Sequence, residues 1–136
     1  MSKKKAYVIG TNVSTSMSPT IFQYWFDKYN IDYVEYGYKE IKEENFDKEI
    51  RLLRNEKDLV GFNITIPYKE KIENYLDDSF QHDRGVGEKL PINCVSVESQ
   101  KFWNGTNTDW EGALNTYVSF EEKRGKNREG NVFIIG

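Results

Sequence analysis

Apolar positions along the chain switch between strand spacing and helix spacing, and each switch marks a predicted element. Residues 5–10 read as a first strand, Lys-Ala-Tyr-Val-Ile-Gly, closed by glycine. A polar loop follows. Ser18 before Pro19 then predicts a helix start, with the serine hydroxyl as N-cap and proline at the first helical position. Ile21, Phe22, Trp25, Phe26 and Tyr29 recur at helical spacing and predict a buried stripe that stops at Asn30. Alternation returns over residues 33–41, a second strand. Residues 43–56 form a second helix with Phe46, Ile50 and Leu53 on one face. Residues 59–66 are the third strand: Phe62, Ile64 and Ile66 alternate with Asn63 and Thr65 until Pro67, which has no N–H to give. A short helix over 69–76, with Ile72, Tyr75 and Leu76 apolar, precedes a polar stretch, 77–89, expected to be a broken helix and a loop. Residues 91–98 read as a strand, Phe102 and Trp103 as the start of a short return strand, and 105–109 as a polar loop. Trp110, Ala113, Leu114, Tyr117 and Val118 give the stripe of a last helix.

Strands alternating with helices predict an α/β fold: a mixed, largely parallel sheet flanked by helices. Residues 1–125 are expected to be one substrate-binding catalytic domain. After a polar linker, Asn131-Val132-Phe133-Ile134-Ile135-Gly136 has the pattern of a buried parallel strand, which sits inside a larger sheet. Dinucleotide-binding units begin with such a strand, and Gly136 would be the first glycine of their phosphate turn. Residues 126–136 are therefore expected to be the linker and first strand of a further domain, the chain being the front part of a longer protein.

Composition narrows the classes of partner. A net charge of −3 implies neither a nucleic-acid backbone nor an anionic membrane as partner. No apolar run approaches the roughly 20 residues of a membrane helix. The single cysteine, Cys94, rules out an internal disulfide framework and fits a reducing, cytoplasmic compartment. With one histidine, His82, in a polar loop, no metal site is expected. Aromatic residues make up 15%, enough that some must line a pocket as well as fill a core.

Three groups of residues could carry chemistry. Ser16 and Ser18, beside Ser14 and Thr15, place two hydroxyls on one side of a loop at a helix N-terminus. Free N–H groups and the helix dipole favour an anion there, and a small carboxylate suits the place. The plain alternatives are N-capping for Ser18 and a solvated loop for Ser16. Lys69, just past the end of the third strand, could exchange a proton with a ligand oxygen, and Asp109 could position it. Their alternatives are a solvated lysine and an N-cap for the last helix. Asn63, Asn93 and Asn107 stand at strand ends, where amides can orient polyol hydroxyls or simply serve turns. Asn63 and Thr65 share one face of their strand. Cys94 reads as a small buried residue rather than a nucleophile.

Four stretches coincide with one family pattern: Val8-Ile9-Gly10 with Ser16-Met17-Ser18-Pro19; residues 63–70, Asn-Ile-Thr-Ile-Pro-Tyr-Lys-Glu; Ile92-Asn93-Cys94; and Asn107-Thr108-Asp109-Trp110-Glu111-Gly112. In this order they resemble the N-terminal substrate-binding domain of shikimate dehydrogenase, over nearly the whole chain. The resemblance implies NADPH-dependent reduction of 3-dehydroshikimate to shikimate in aromatic amino-acid biosynthesis. It implies that Ser16 and Ser18 hold the substrate carboxylate, that Thr65 and Asn93 bind substrate, and that Lys69 and Asp109 form the catalytic pair; Asn63, on the strand face it shares with Thr65, is expected to bind substrate as well. NADP is expected on a domain beyond this chain, so the 136 residues alone are expected to be inactive. A homodimer is left open. Thr15 stands where the family has histidine, Asn12 where it has proline, and Cys94 where it has threonine; these changes bear on substrate choice. Quinate, or a role as a stand-alone carboxylate-binding module, are the alternatives.

Overall fold

A computed structural model of the protein describes residues 2–80 and 91–124. Six strands make one sheet in the order β2-β1-β3-β5-β6-β4. They are β1 (Lys4–Gly10), β2 (Val34–Glu40), β3 (Leu59–Ile64), β4 (Asp78–Phe80), β5 (Cys94–Val97) and β6 (Trp103–Thr106). β1 pairs in parallel with β2 and β3, and β4 with β6, while β5 runs antiparallel to β3 and β6. The sheet is thus mixed and largely parallel, as the alternation predicts. Val8 and Ile9 are buried near the end of β1, between two neighbouring strands.

Helix α1 (Ser18–Tyr29) joins β1 to β2 and helix α2 (Phe46–Arg54), preceded by a 3₁₀ turn at Glu43–Asn45, joins β2 to β3. The predicted stripe of α2 is the one that fills the core: Phe46, Ile50 and Leu53 are all buried. They join Ile9, Ile64, Tyr68, Ile72, Ile92, Val95 and Trp103 in one cluster. Phe46 stacks on Tyr68 at 4.2 Å between ring centroids, and the Tyr68 hydroxyl donates to the Ile41 carbonyl. That bond satisfies the polar tip of a ring otherwise surrounded by apolar atoms.

Several expectations are corrected. β3 ends at Ile64 rather than Ile66. The backbone turns there: Thr65 still donates its N–H to Ile9, but its own carbonyl accepts from Tyr68, and a cis peptide joins Ile66 to Pro67. Ile66 is 76% exposed in consequence, so the apolar alternation continues one step too far in the sequence. Residues 69–76 contain only a 3₁₀ turn, Lys71–Tyr75. The expected broken helix after Asp77 is instead strand β4, beside β6; residues 81–90 lie outside the described residues. The Asp77 carboxylate takes the Trp103 N–H at 2.8 Å and an Arg54 N–H at 2.8 Å, which fastens the segment to the sheet edge. β5 starts at Cys94, three residues later than the apolar pattern suggests. β6 continues through Gly105 and Thr106, which read as loop in the sequence. A Cβ on Gly105 would meet Leu76 Cδ1 at 2.3 Å, so glycine is needed there for close packing rather than for a turn.

Two predicted buried stripes are not buried. In α1 only Phe22 and Phe26 are partly covered, while Ile21, Trp25 and Tyr29 are exposed. In α3 (Asp109–Arg124) no residue is buried, and Leu114, Tyr117 and Val118 face solvent. Helical spacing selects one face of a helix but supplies nothing to cover it. Among the described residues, no element packs extensively along α3. The expected strand at 131–136 and its linker lie outside the described residues.

Candidate functional site

The ends of β1 and β3, the start of α1 and the start of α3 meet around a cleft of about 480 Å³. Ser16, Ser18, Asn63, Thr65, Lys69, Asn93 and Asp109, all singled out from the sequence, line it. Val8, Val13, Ile21, Phe22, Trp25 and Ile64 supply apolar wall, and Asn12 adds an amide. A cleft of this size, with an apolar wall facing convergent polar groups, has the make-up of a small-molecule site. Thr15 and Cys94 are not among the lining residues. The Cys94 thiol is pushed up by burial and bonded to Thr106, which suits a packed residue rather than a nucleophile.

One end of the cleft is hydroxylic. α1 begins at Ser18 itself, with Met17 in the cap position, so Ser18 is not the N-cap. Ser16 does that work: its Oγ accepts the Ser18 N–H at 3.2 Å and donates to Ser18 Oγ at 3.2 Å. Proline at the next position presets the first turn and needs no acceptor. The loop before it is held by Glu40 at the end of β2, whose carboxylate accepts the Ser14 N–H at 2.8 Å. The Ser14 hydroxyl, the Ser14 N–H and the Val13 N–H together hold this carboxyl below its usual range, against slight burial. A lowered value means the anchor is fully present above the ordinary glutamate range and is lost as pH falls through the lowered one. Hydrogen-exchange protection of the Ser14 amide is therefore expected to hold at neutral pH, to be lost only at pH below the ordinary glutamate range, and to be weak throughout in Glu40→Ala. Equal protection in the variant would count against this anchor.

The other end carries the ionic pair. Lys69 Nζ forms a short ion pair and hydrogen bond with Asp109 Oδ2, both side chains part-exposed to the cleft. Asn93 Nδ2 donates to the other oxygen, Asp109 Oδ1, at 2.8 Å and to Thr108 Oγ1 at 2.9 Å, while Asn93 Oδ1 accepts the Thr108 N–H at 2.8 Å. The Asn93 amide is buried and every one of these bonds is internal, so it orients the carboxylate rather than facing solvent. Asp109, the first residue of α3, uses both oxygens in these bonds; the capping of α3 falls to Asn107, whose Oδ1 accepts the Trp110 N–H at 3.3 Å. Asn107 also donates to the Pro91 carbonyl and does not line the cleft.

Some contributors are not evident in the sequence. Trp25 and Phe22 read as core and are cleft wall instead. Thr108 lies in the quoted Asn-Thr-Asp run, yet only the fold shows its partner. Tyr36, an ordinary strand tyrosine by pattern, donates to Asn63 Oδ1 at 2.7 Å. Among the described residues no cluster of His, Cys, Asp and Glu could hold a metal ion, and no helix is long and apolar enough to cross a membrane.

Comparison with known proteins follows the same residues. The family described as shikimate dehydrogenase substrate binding domain matches residues 8–88. A shikimate dehydrogenase of Thermotoga petrophila is 36% identical over 119 residues, 88% of this chain and 42% of its own length. A shikimate dehydrogenase (NADP(+)) of Staphylococcus epidermidis is 39% identical over 116 residues, 85% of this chain and 40% of its own. Among solved structures, shikimate dehydrogenase 1 from Peptoclostridium difficile superposes with a TM-score of 0.74 at 28% identity, over 88% of this chain and 42% of that one. The chain thus spans about two fifths of the length of the relatives it matches.

Proposed function

Because this chain belongs to the family of shikimate dehydrogenase substrate-binding domains, we propose that it forms the substrate side of an NADP-dependent oxidoreductase. Its reaction interconverts 3-dehydroshikimate and shikimate, in the cytoplasm, as a step of aromatic amino-acid biosynthesis. The observation that carries this reading is the cleft itself: a hydroxyl pair suited to a carboxylate lines the same space as a lysine–aspartate pair suited to a proton. A cyclic hydroxy acid needs both.

Reducing a ketone adds a hydride to carbon and a proton to oxygen. Lys69 is the group placed to give that proton, and to take it back in the reverse direction. Asp109 keeps the lysine aimed and Asn93 keeps Asp109 aimed. A proton donor held in geometry in this way is what general acid catalysis requires. Ser16 and Ser18 take the carboxylate, aided by the partial positive charge at the start of α1. Asn63 and Thr65 meet the ring hydroxyls between the two ends.

The described residues do not fit the dinucleotide that would bring the hydride. The turn after β1 contains a single glycine, Gly10, and a Cβ there would meet Thr65 Cγ2 at 2.6 Å and Val13 Cγ1 at 2.8 Å. Gly10 thus serves a close approach between protein segments, not a phosphate. We place the NADP site in a second domain entered through residues 126–136, and expect the 136-residue chain to bind shikimate without turning it over.

Calorimetric titration tests the substrate side directly. Each hydroxyl that bonds a carboxylate contributes about 1.5–3 kcal/mol, so Ser16→Ala is expected to raise the Kd for shikimate roughly 10–100-fold. An analogue lacking the carboxylate should bind weakly and with little difference between wild type and variant. Shikimate affinity unchanged by Ser16→Ala and by Ser18→Ala would overturn the assignment. Quinate, titrated alongside, tests the alternative substrate.

A further inference from the structure

Tyr36 lies on β2, two strands from Asn63 on β3, and its ring reaches across β1 to the cleft floor. The ring stacks flat on Phe22 of α1, 4.0 Å between centroids and 4° between planes. Its hydroxyl donates to Asn63 Oδ1 at 2.7 Å. The direction of each bond follows from the acceptors. Asn63 Nδ2 faces the Asn93 carbonyl at 3.4 Å, and a carbonyl can only accept. The nitrogen of the Asn63 amide is fixed on that side, so its oxygen faces Tyr36, which must donate.

Two bonds in sequence therefore run from the Tyr36 phenol through the Asn63 amide to the Asn93 carbonyl. We propose that Tyr36 is a positioning residue that fixes the polarity of the Asn63 amide, so that Asn63 presents its remaining N–H to a ring hydroxyl oxygen of the ligand. Burial pushes the Tyr36 phenol well above its ordinary range. Its proton is accordingly available as a donor at all working pH values. The Tyr36 bond to Asn63 lets the amide keep its orientation when a ligand enters.

This inference rests on the shikimate reading above, and the experiment separates the two. The full 136-residue chain and its Tyr36→Phe variant are titrated with shikimate and with the set of mono-deoxygenated shikimates. Phenylalanine keeps the stack on Phe22 and removes only the hydroxyl. The expected result is a roughly tenfold rise in the Kd for shikimate, the usual cost of one orphaned acceptor. For one deoxy analogue, the one lacking the hydroxyl that Asn63 meets, the variant and wild type should bind alike. A general loosening of the fold would weaken every ligand equally, and that pattern overturns the proposal, as does a variant with unchanged shikimate affinity. Failure of the wild-type chain to bind shikimate at all would instead overturn the functional reading.

Discussion

Lys69→Met, made in an enzyme that carries this domain together with its dinucleotide-binding domain, is expected to lower kcat about 10²–10⁴-fold, the range a positioned proton donor supplies. The substitution keeps most of the apolar stem and removes the ammonium. KM for shikimate should move much less, because the function proposed above gives the carboxylate to Ser16 and Ser18 and not to the lysine. Asp109→Asn should give a smaller loss, since the lysine remains and only its partner's charge is removed. Steady-state kinetics over a range of pH separates the two. A Lys69→Met enzyme with near-normal kcat and a raised KM would mean the lysine binds substrate without moving a proton.

The second large effect concerns stability. Phe46→Ala is expected to cost about 3–5 kcal/mol, as removal of a fully buried aromatic ring does. Phe46 is 0% exposed, stacks on Tyr68, meets Tyr75 edge-on at 5.8 Å, and lies under the Lys71 ammonium at 4.8 Å. Few positions combine so many contacts. For a chain of this size the loss corresponds to a fall in Tm of roughly 10–20 °C. Leu52→Ala on the same helix is the control: Leu52 is 56% exposed and should stay within about 0.5 kcal/mol of wild type. Equal midpoints for the two variants in urea would show that α2 does not nucleate the core described here. Tyr68 is next to Lys69 in the chain, so loosening the Phe46 stack should reach the cleft before the domain unfolds.

Much of the site is legible in the sequence because its residues sit where elements end. A strand that stops beside Pro67 shows where Asn63, Thr65 and Lys69 converge even without a third dimension. The same reasoning finds Ser16 and Ser18 at a helix start, though it assigns the cap to Ser18 where Met17 stands. Which hydroxyl reaches a backbone N–H depends on where the first helical residue falls, and Pro19 permits more than one placement. Periodicity fails where burial depends on a partner. Trp25 and Leu114 have helical spacing, yet each keeps nearly half its surface exposed, 45% and 46%. Strand β4 is missed because three residues carry no period. Tyr36 is missed for a different reason. Alternation places a tyrosine on a face of its strand but is silent about the hydroxyl's partner, and Asn63 is distant in sequence.

Helix α3 shows how the chemistry is shielded from movement elsewhere. Sixteen residues at 1.5 Å each make a rod of about 24 Å. It is pinned at its root, where Thr108 bonds Asn93 and Asn107 bonds Pro91 and Trp110. Asp109 sits at that root. A swing of about 10° would carry the far end roughly 4 Å but shift the carboxylate by well under 1 Å, within the tolerance of about 0.5 Å that a working constellation requires. The exposed end of the helix is the long arm of a lever, and the aspartate rides almost on its fulcrum.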